Sequence, residues 1–500
     1  MKPVVVLLGL FFMGCGSQAP PKKNVVLVVI DTMRVDRTSL YGHERTTTPA
    51  IDAWAQRGTT FERANSASSW TVPSMGMLLT GRYRYGSGKT ISDSQRLLSQ
   101  VLEGAGYRTI GIVANPVLNH LQGFDVGYEQ YDLTEGDFET ELVERRWGWP
   151  GSIVVDKGIR WMRELRDDRP FMLYLHLMDP HYPYSPVEGI PFTWQKDLSP
   201  AKRASFEANL APQHAGAITT KIYKNMERML AAYDAEILEV DQELARLFAY
   251  LDESGLSENT VVVLTSDHGE GLWEHSSADG WVNEASFSQS IVPELYRGHG
   301  EQLYEELIHV PLAFVGPGVP TGVRERRVVS LVDVVPTLLS LLDVASPTEL
   351  HGVPLFGDEA LAERTEVFSR CARGTSITVD GRWKLLLPED HVAERGGLTA
   401  LYDLSVDPGE DHPIDDPERS RELAARVSAW KAQYSEVAEE MPIEKQRELL
   451  RQMGYLGLAN ELDENTTPEE VRELLKAGRA RREARRTRAQ DGQRDAEQDD

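Results

Sequence analysis

Ionisable side chains follow three separate apolar segments of this sequence, each at the point where the segment ends. Asp31 follows VVLVVI, Asp267 and His268 follow VVVLTS, and Asp179 and His181 follow FMLYLHL. Because ligands of open α/β sheets bind beyond the carboxyl ends of the strands, these groups are expected to meet at one edge. Carboxylates and an imidazole, without a thiolate, suit a hard or borderline divalent cation. Aspartates also cap helices after strands, but their recurrence after three strands favours a metal site.

A hydroxyl group before a predicted helix is the second candidate. The segment SWTVPSMGMLLTGRY contains Thr71, then Pro73, which fits the first turn of a helix, and Gly81, which would end it. Thr71 would therefore lie at the helix amino terminus, where free backbone N–H groups and the helix dipole favour an anion. A nearby cation would lower the pKa of the hydroxyl and make it a nucleophile. On this segment alone, a threonine before a helix is in most cases only an N-cap.

A sheet is needed to position these residues, and the apolar segments predict one. Five β-branched runs are almost continuously apolar rather than alternating, which indicates strands buried on both faces. The runs are Asn24–Ile30, Tyr107–Ala114, Phe171–Leu177, Thr260–Leu264 and Val310–Val315. Apolar residues at helical spacing between positions 237 and 251 predict a helix packed on this sheet. We expect an α/β fold with a doubly wound, mostly parallel sheet flanked by helices, and a smaller α+β C-terminal region.

Length and composition restrict the class of protein. A chain of 500 residues with 41% hydrophobic side chains can bury a large core. The net charge of −25 argues against nucleic acid as a partner, because no positive field would attract it. Cys15 and Cys371 are the two cysteines of the sequence, which excludes a disulfide framework and a cysteine-rich zinc site.

The first residues are typical of a secretion signal. Lys2 is followed by the short apolar run Pro3–Met13 and then by Gly14 and Cys15. A cysteine in this position resembles the bacterial lipoprotein cleavage site, although Phe12 stands where a leucine is usual. On this interpretation Cys15 is acylated, and the exported protein is anchored to a membrane of the cell envelope, in the periplasm or at the outer membrane. An ordinary export signal with an incidental cysteine is the alternative.

Changes of composition along the chain predict four segments. The strand-like pieces Ser376–Val379 and Trp383–Leu387 flank Asp380 and Gly381, a strong hairpin signal. From Thr467 the chain is highly charged and almost free of apolar residues, as in a solvated helix that frays into disorder. The expected segments are 1–22 as lipoprotein-type signal and linker, 23–345 as catalytic domain, 346–440 as a smaller C-terminal subdomain, and 441–500 as a charged helical, partly disordered tail.

A series of segments resembles the sulfatase branch of the alkaline-phosphatase superfamily, from about residue 23 to residue 457. These segments are VVLVVIDTMRVD, TTTPAIDAWAQRGTTFERA, SWTVPSMGMLLTGRY, GYRTIGIVANP, MDPHYPY, NTVVVLTSDHGEGLWEH, GHGEQLYEELIHVPLAFVGPG, SLVDVVPTLLSLL and ALYDLSVDPGE. The resemblance implies a metal-assisted hydrolase whose nucleophile forms a covalent sulfuryl- or phosphoryl-enzyme.

The resemblance also implies roles for individual residues. Asp31, Asp267 and His268 match the ligands of one divalent metal ion, with calcium as the first expectation and magnesium, manganese or zinc as alternatives. Thr71 matches the nucleophile position.

Two histidines complete the set that the resemblance implies. His181 and His299 match positions that contact the transferred group or protonate the leaving group. A two-metal alternative stays open, in which Asp179, His181 and His299 hold a second ion. Because the spacing Asp-x-His is shorter than in the two-metal relatives, one metal ion is the first expectation.

Several positions depart from the family pattern. Classical members oxidise a cysteine or serine at the Thr71 position to formylglycine, but a secondary alcohol cannot give that aldehyde, so no formylglycine is expected. The family arginine four residues later is Met75, and the lysine and histidine of the next stretch fall within Val113–Pro116. The second carboxylate after Asp31 is Thr32, a weaker ligand. Threonine nucleophiles do occur in relatives that act on phosphodiesters, such as nucleotide pyrophosphatases and lipoteichoic acid synthases.

The expected function is metal-dependent hydrolysis of a sulfate or phosphate ester, carried by a small molecule, glycan or lipid. A covalent intermediate would form on Thr71, and His181 or His299 would protonate the leaving oxygen. Two alternatives remain: an envelope phosphoryl-group transferase, which differs only in its acceptor, and a catalytically degenerate binding lipoprotein on the same scaffold. The intact set of candidate metal ligands favours catalysis over binding alone.

Overall fold

The computed structural model describes residues 22–83, 91, 96–134, 148–165, 168–186, 220–276, 295–347, 349–357, 364–394 and 396–434. Its strands are β1 (Asn24–Ile30), β2 (Thr59–Asn65), β3 (Arg108–Val113), β4 (Gln130–Leu133), β5 (Phe171–Leu177), β6 (Thr260–Ser266), β7 (Gly271–Ser276), β8 (Leu295–Gly298), β9 (His309–Val315), β10 (Val323–Ser330), β11 (Glu366–Arg370), β12 (Gly374–Val379), β13 (Trp383–Pro388) and β14 (Ala400–Asp403). Its α-helices are α1 (Pro49–Ala55), α2 (Thr71–Thr80), α3 (Leu98–Gly104), α4 (Gly151–Glu164), α5 (Thr220–Glu253), α6 (Glu305–Ile308), α7 (Val334–Leu341), α8 (Asp390–Ala393) and α9 (Pro417–Tyr434). The expected signal segment and charged tail lie outside the described residues.

Eight strands form the central sheet, in the order β10-β2-β9-β6-β1-β5-β3-β4. Neighbouring strands run parallel except at β9, which is antiparallel to both β2 and β6. The expectation of a mostly parallel α/β sheet is therefore confirmed. The direction of β9 was not predictable from its apolar run, because continuous apolarity reports burial on both faces and not strand direction.

Helices cover both faces of this sheet, which explains why its strands are apolar on both sides. Val26, Val28 and Ile30 of β1 pack in one core with α1, α4 and α5, whereas the alternate residues of β1 pack in a second core with α2, α3 and α7. The predicted helical stripe between positions 237 and 251 lies on α5 and belongs to the first core. The two cores hold the sheet between its helices, and the sheet in turn positions the residues at its carboxyl edge.

A smaller antiparallel sheet, β11-β12-β13-β14, forms the C-terminal region and confirms the expected second region. Asp380 and Gly381 join β12 to β13 with φ angles of 53° and 63°, the left-handed pair that a tight hairpin turn needs. This sheet contacts the main domain close to α2, since the Arg370 N–H donates to the Ala67 carbonyl at 2.9 Å. The boundaries at residues 346 and 440 stay predictions.

Candidate active site

Asp31, Asp267 and His268 meet at the carboxyl edge of the central sheet. Strands β1 and β6 are parallel neighbours whose last paired residues are Ile30 and Ser266, so Asp31 and Asp267 come next on adjacent strands. All three side chains are fully buried. One potential ligand atom from each lies within 4.8 Å of the others. The structure thus brings together the three residues that the sequence indicated as metal ligands.

The two carboxylates each present one oxygen that has no hydrogen-bond partner among the described residues. These atoms are Asp31 Oδ1 and Asp267 Oδ2, and His268 Nε2 lies 3.3 Å from the latter. Such buried, unsatisfied oxygens carry a large desolvation cost, which a divalent cation bound between them would offset. Two carboxylate oxygens and an imidazole nitrogen are a suitable donor set for such an ion. The residues present therefore fit a metal ion.

The electrostatics of this cluster point in the same direction. Burial, followed by the charge of Asp31, raises the pKa of Asp267 well above its usual range. For Asp31, burial would raise the pKa, but the hydrogen bond from His176 and the charges of nearby histidines outweigh it and lower the pKa. Burial and the charge of His299 lower the pKa of His268 to about 3, so this imidazole is neutral and can act as a ligand.

Thr71 is the first residue of α2 and is only 2% exposed, with its Oγ1 atom 3.1 Å from His268 Nε2. The helix ends as predicted, because Gly81 caps it with a φ of 66°. The Ser66 and Ser74 hydroxyls both donate to the Asp267 carbonyl oxygen, at 2.5 and 2.6 Å. These bonds join the start of α2 to the end of β6, so the hydroxyl and the carboxylates keep a fixed separation.

Two further imidazoles lie beside this group. The His299 ring is centred 4.5 Å from the His268 ring and 5.1 Å from the His181 ring. Glu270, which is buried, places Oε1 3.1 Å from Nδ1 of His299. Burial alone would lower the pKa of His299, but the charge and hydrogen bond of Glu270 raise it. Burial lowers the pKa of His181, so His299 is the better proton donor of the two.

Arg297 supplies a cationic group at the edge of the site. It lies on β8 opposite Leu272 of β7, and its guanidinium is 4.0 Å from the centre of the Tyr182 ring. Its charge influences the pKa of both Glu270 and His299. The sequence lacks the cationic contacts at Met75 and Val113–Pro116, and Arg297 places a positive charge near the site from a different strand.

Asp179 and Thr32 are two further residues that the sequence offered as possible metal ligands. Asp179 Oδ2 accepts a hydrogen bond at 3.0 Å from the N–H of Gly151, the first residue of α4. Thr32 contributes its backbone: its N–H donates to Asp267 Oδ1 at 3.2 Å, and its carbonyl accepts from the Tyr233 hydroxyl at 2.7 Å. Among the described residues, the carboxylates and imidazoles that lie within 4.8 Å of one another as potential metal ligands are those of Asp31, Asp267 and His268.

Three contributors to the site were not predicted from the sequence: His176, Asn115 and Glu270. His176 Nε2 lies 3.2 Å from Asp31 Oδ2, and the Asn115 amide donates to the same oxygen at 2.6 Å. His176 could have been found as the one ionisable residue in the apolar strand FMLYLHL. Asn115 falls in the stretch where the family pattern led us to look for a lysine and a histidine.

The fold and the site define a class: an α/β enzyme with a buried nucleophile candidate beside a carboxylate–imidazole cluster at the carboxyl edge of its sheet. The sulfatase family model matches residues 23–344, well over half of the chain, so the chain belongs to the sulfatase family. This membership makes it a sulfatase-like ester hydrolase and confirms the resemblance found in the sequence.

Similar proteins agree with this assignment. Arylsulfatase K of Mus musculus is 26% identical over 449 residues, covering 79% of this chain and 76% of that protein. The N-acetylglucosamine-6-O-sulfatase of Bacteroides thetaiotaomicron is 24% identical over 438 residues, covering 71% of this chain and 75% of that protein.

Solved structures share the fold. The phosphonate monoester hydrolase of Agrobacterium radiobacter superimposes with a TM-score of 0.64 at 21% identity, covering 83% of this chain and 96% of that one. A structure solved with its substrate D-glucosamine-2-N,6-O-disulfate gives a TM-score of 0.63 at 18% identity, covering 83% of this chain and 98% of that one. Within the described residues, no helix is both long and apolar enough to cross a membrane.

Proposed function

We propose that this chain hydrolyses sulfate or phosphate esters through a covalent intermediate on Thr71, with the help of one divalent cation. The observation that carries the proposal is the 3.1 Å separation of Thr71 Oγ1 and His268 Nε2. It places a hydroxyl at the start of a helix and beside two buried carboxylates. The names of the relatives, which are sulfatases, and the fold shared with a phosphonate monoester hydrolase support this class of substrate.

Asp31, Asp267 and His268 would hold the cation. When bound, it would lower the pKa of the Thr71 hydroxyl and offset negative charge on the ester oxygens. Calcium usually takes six to eight oxygen ligands, whereas manganese and zinc readily accept an imidazole nitrogen. The imidazole of His268 therefore moves manganese and zinc ahead of calcium, the ion that the family resemblance put first.

The residues around Thr71 have complementary tasks in this proposal. The Thr71 hydroxyl gives up its proton to solvent, and its oxygen then forms a bond to the sulfur or phosphorus of the ester while the bond to the leaving oxygen breaks. His299, kept protonated by Glu270, gives its proton to the leaving oxygen. The first N–H groups of α2 and the guanidinium of Arg297 favour the negative charge of the transferred group. A water molecule then attacks the same sulfur or phosphorus and gives a proton to the now neutral His299, and the bond to the Thr71 oxygen breaks to release sulfate or phosphate.

Sulfated sugars are the first substrates to test, because relatives and structural neighbours carry substrates of this kind in their names. Purified protein would be assayed with nitrophenyl sulfate, phosphate monoester, phosphate diester and phosphonate esters, and with a glucosamine sulfate, in manganese, zinc, calcium or magnesium. We expect turnover that needs the metal ion and falls at least about 10³-fold in Thr71→Ala. Thr80→Ala is the matched control, since Thr80 is a buried threonine at the other end of α2 whose hydroxyl donates to the Gly76 carbonyl.

Three results would contradict the proposal. Full turnover in Thr71→Ala would exclude the threonine nucleophile. Turnover that appears only when an alcohol acceptor is added would favour the transferase. A well-folded protein that binds no metal ion and cleaves no ester would be a binding protein on a sulfatase scaffold.

Attachment to a cell-envelope membrane through Cys15 is the second part of the proposal, and it rests on the sequence of the first residues. In a bacterial host, Cys15→Ala would move the protein from the membrane fraction to the soluble fraction. Cys371→Ala is the control, because Cys371 is buried in the folded domain. A wild-type protein found in the soluble fraction would contradict the anchor.

A further inference from the structure

Within the described residues, one of the two carboxylate oxygens of Asp31 has hydrogen-bond partners and the other has none. Its Oδ2 atom receives the Asn115 amide at 2.6 Å and has His176 Nε2 at 3.2 Å, whereas Oδ1 has no hydrogen-bond partner within the described ranges. We infer that His176 and Asn115 are positioning residues that hold Asp31 as a ligand through a single oxygen, Oδ1. This inference deepens the proposed function and rests on the metal site that it contains.

A third residue fixes the orientation of the imidazole. The Tyr174 hydroxyl lies 2.8 Å from His176 Nδ1. Because the carboxylate of Asp31 can only accept, Nε2 of His176 carries the hydrogen, and in the neutral ring Nδ1 then accepts from the Tyr174 hydroxyl. In this tautomer the hydrogen bonds run in one direction, from Tyr174 through His176 to Asp31, and together they fix the orientation of the imidazole ring.

The central sheet keeps this chain in place. His176 of β5 is in register with Val29 of β1 on one side and with Val113 of β3 on the other. Asp31 and Asn115 each come two residues after these partners, on the same edge of the sheet. His176 is fully buried and Asn115 is 3% exposed, so water cannot easily replace a donor that is lost.

Asp267 is restricted in the same way by backbone groups. Its Oδ1 atom accepts from the N–H groups of Thr32 at 3.2 Å and His268 at 2.8 Å, and its Oδ2 atom remains for a ligand. Each carboxylate then offers one oxygen, which together with His268 makes three protein ligands. Such a set fits manganese or zinc, whereas calcium gains from carboxylates that bind through both oxygens.

The test is the affinity of the full-length protein for manganese and for calcium, measured by titration calorimetry without any substrate. We expect His176→Leu to weaken manganese binding by about 10- to 100-fold, the usual effect of losing a partner of a metal ligand. His176→Gln, whose amide can still donate to Asp31, should stay within about threefold of the wild type. The preference for manganese over calcium should fall in His176→Leu, because Asn115 alone then restrains Oδ2 and Asp31 can bind through both oxygens more readily.

Two controls separate this role from a general effect on folding. Tyr131→Phe removes another hydroxyl from the sheet region, that of a half-buried tyrosine that donates to the Leu118 carbonyl at 2.7 Å, and should leave the metal affinity unchanged. Melting temperatures and circular dichroism would show whether each variant is folded. If His176→Leu does not fold, Asn115→Ala and Tyr174→Phe test the same chain of bonds.

The inference would be overturned by manganese affinity that is unchanged in His176→Leu, or by a loss in His176→Gln as large as in His176→Leu. Metal binding that follows the expected order, without cleavage of any ester, would contradict the proposed hydrolysis and leave the inference standing. A wild-type protein that binds neither ion would overturn both.

Discussion

Glu270 holds His299 through one ring nitrogen, with Oε1 3.1 Å from Nδ1 of the imidazole. Both residues lie at the same end of the antiparallel pair β7–β8, since Glu270 directly precedes β7 and His299 directly follows β8. Gly271 and Gly298 are paired between these strands, so the strand pairing sets the distance between carboxylate and ring. The carboxylate favours the protonated imidazole, which is the form that a proton donor needs.

This contact predicts that the reduction in kcat caused by removing His299 depends on the leaving group of the ester. His299→Ala should cost about 10²- to 10⁴-fold in kcat for an ester with a poor leaving group, such as an alkyl or sugar alcohol, because that oxygen needs a proton as it departs. For a nitrophenyl ester the cost should be small, since nitrophenolate leaves without a proton. Steady-state rates on a series of esters of graded leaving-group pKa would give this dependence.

His181→Ala is the matched control for that series. Burial lowers the pKa of His181, so this ring is neutral and is expected to contact the transferred group without donating a proton. Its loss should therefore reduce the rate by a similar factor for every leaving group. If the loss of rate depended on the leaving-group pKa equally in the His299 and His181 variants, the assignment of His299 as the acid would be contradicted.

Thr71 leads to a second prediction, which concerns the chemistry of its side chain. Thr71→Ser keeps a hydroxyl at the start of α2 and should retain activity to within about tenfold. Thr71→Val keeps the shape of threonine but has no hydroxyl, and should lose at least about 10³-fold in kcat. Mass spectrometry of the quenched reaction should find a sulfuryl or phosphoryl adduct on the peptide that contains position 71 in the wild type and in Thr71→Ser. The same peptide of Thr71→Val should carry no adduct.

Much of this site could be predicted because the fold converts sequence order into spatial proximity. Asp31, Asp267 and His268 follow apolar runs, and parallel neighbouring strands bring the ends of such runs to one edge. Thr71 could be placed because Pro73 and Gly81 bound its helix, and the structure has those bounds. In both cases the prediction needed only local patterns and one general property of parallel sheets.

The second layer of the site could not be predicted in this way. Asn115 and His176 are polar residues in or beside buried strands, and their role depends on which strands are neighbours. Local sequence patterns do not determine the order of strands in a sheet, so the sequence did not show that β3, β5 and β1 are neighbours. Glu270 is similar, because only the pairing of β7 with β8 brings it to His299.

A third prediction concerns Gly269, which lies between His268 and Glu270. Its N–H donates to the Leu307 carbonyl at 2.8 Å, and a Cβ at this position would lie 1.9 Å from the Glu306 carbonyl oxygen. Gly269→Ala should therefore lower the free energy of unfolding by roughly 1–3 kcal/mol or more, because the backbone has to shift. Urea denaturation would measure it. Gly104→Ala, at a position with open space around the new Cβ, should change stability by less than about 1 kcal/mol, and equal values for the two variants would contradict the close approach.

The last prediction is a pH dependence of stability at His275, which packs where the main domain meets the C-terminal region. His275 Nδ1 lies 2.7 Å from Glu306 Oε1, and Nε2 lies 3.3 Å from the Glu410 carbonyl oxygen, so both nitrogens act as donors and the ring is an imidazolium. Its ring stacks on Tyr304 with centres 3.5 Å apart. Burial would lower the pKa of His275, but the charges of Glu306, Glu410 and Glu274 raise it to about 9.

Because this pKa is higher in the folded protein than the value of about 6.5 in the unfolded chain, His275 stabilises the folded state fully below pH 6.5, and the effect is lost as the pH rises towards 9. His275→Gln should therefore cost on the order of 3 kcal/mol of unfolding free energy at about pH 6 and much less at about pH 10.

Lys384, which pairs with Glu410, and Glu410 itself, whose pKa burial raises to about 7, are present in both proteins. The difference between variant and wild type at each pH, measured by urea denaturation, therefore reports His275 together with its interaction with Glu410. The control is His120→Gln, which removes an exposed imidazole from the surface. A cost for His275→Gln that is the same at both pH values would show that the ring acts through packing on Tyr304 and not through its charge.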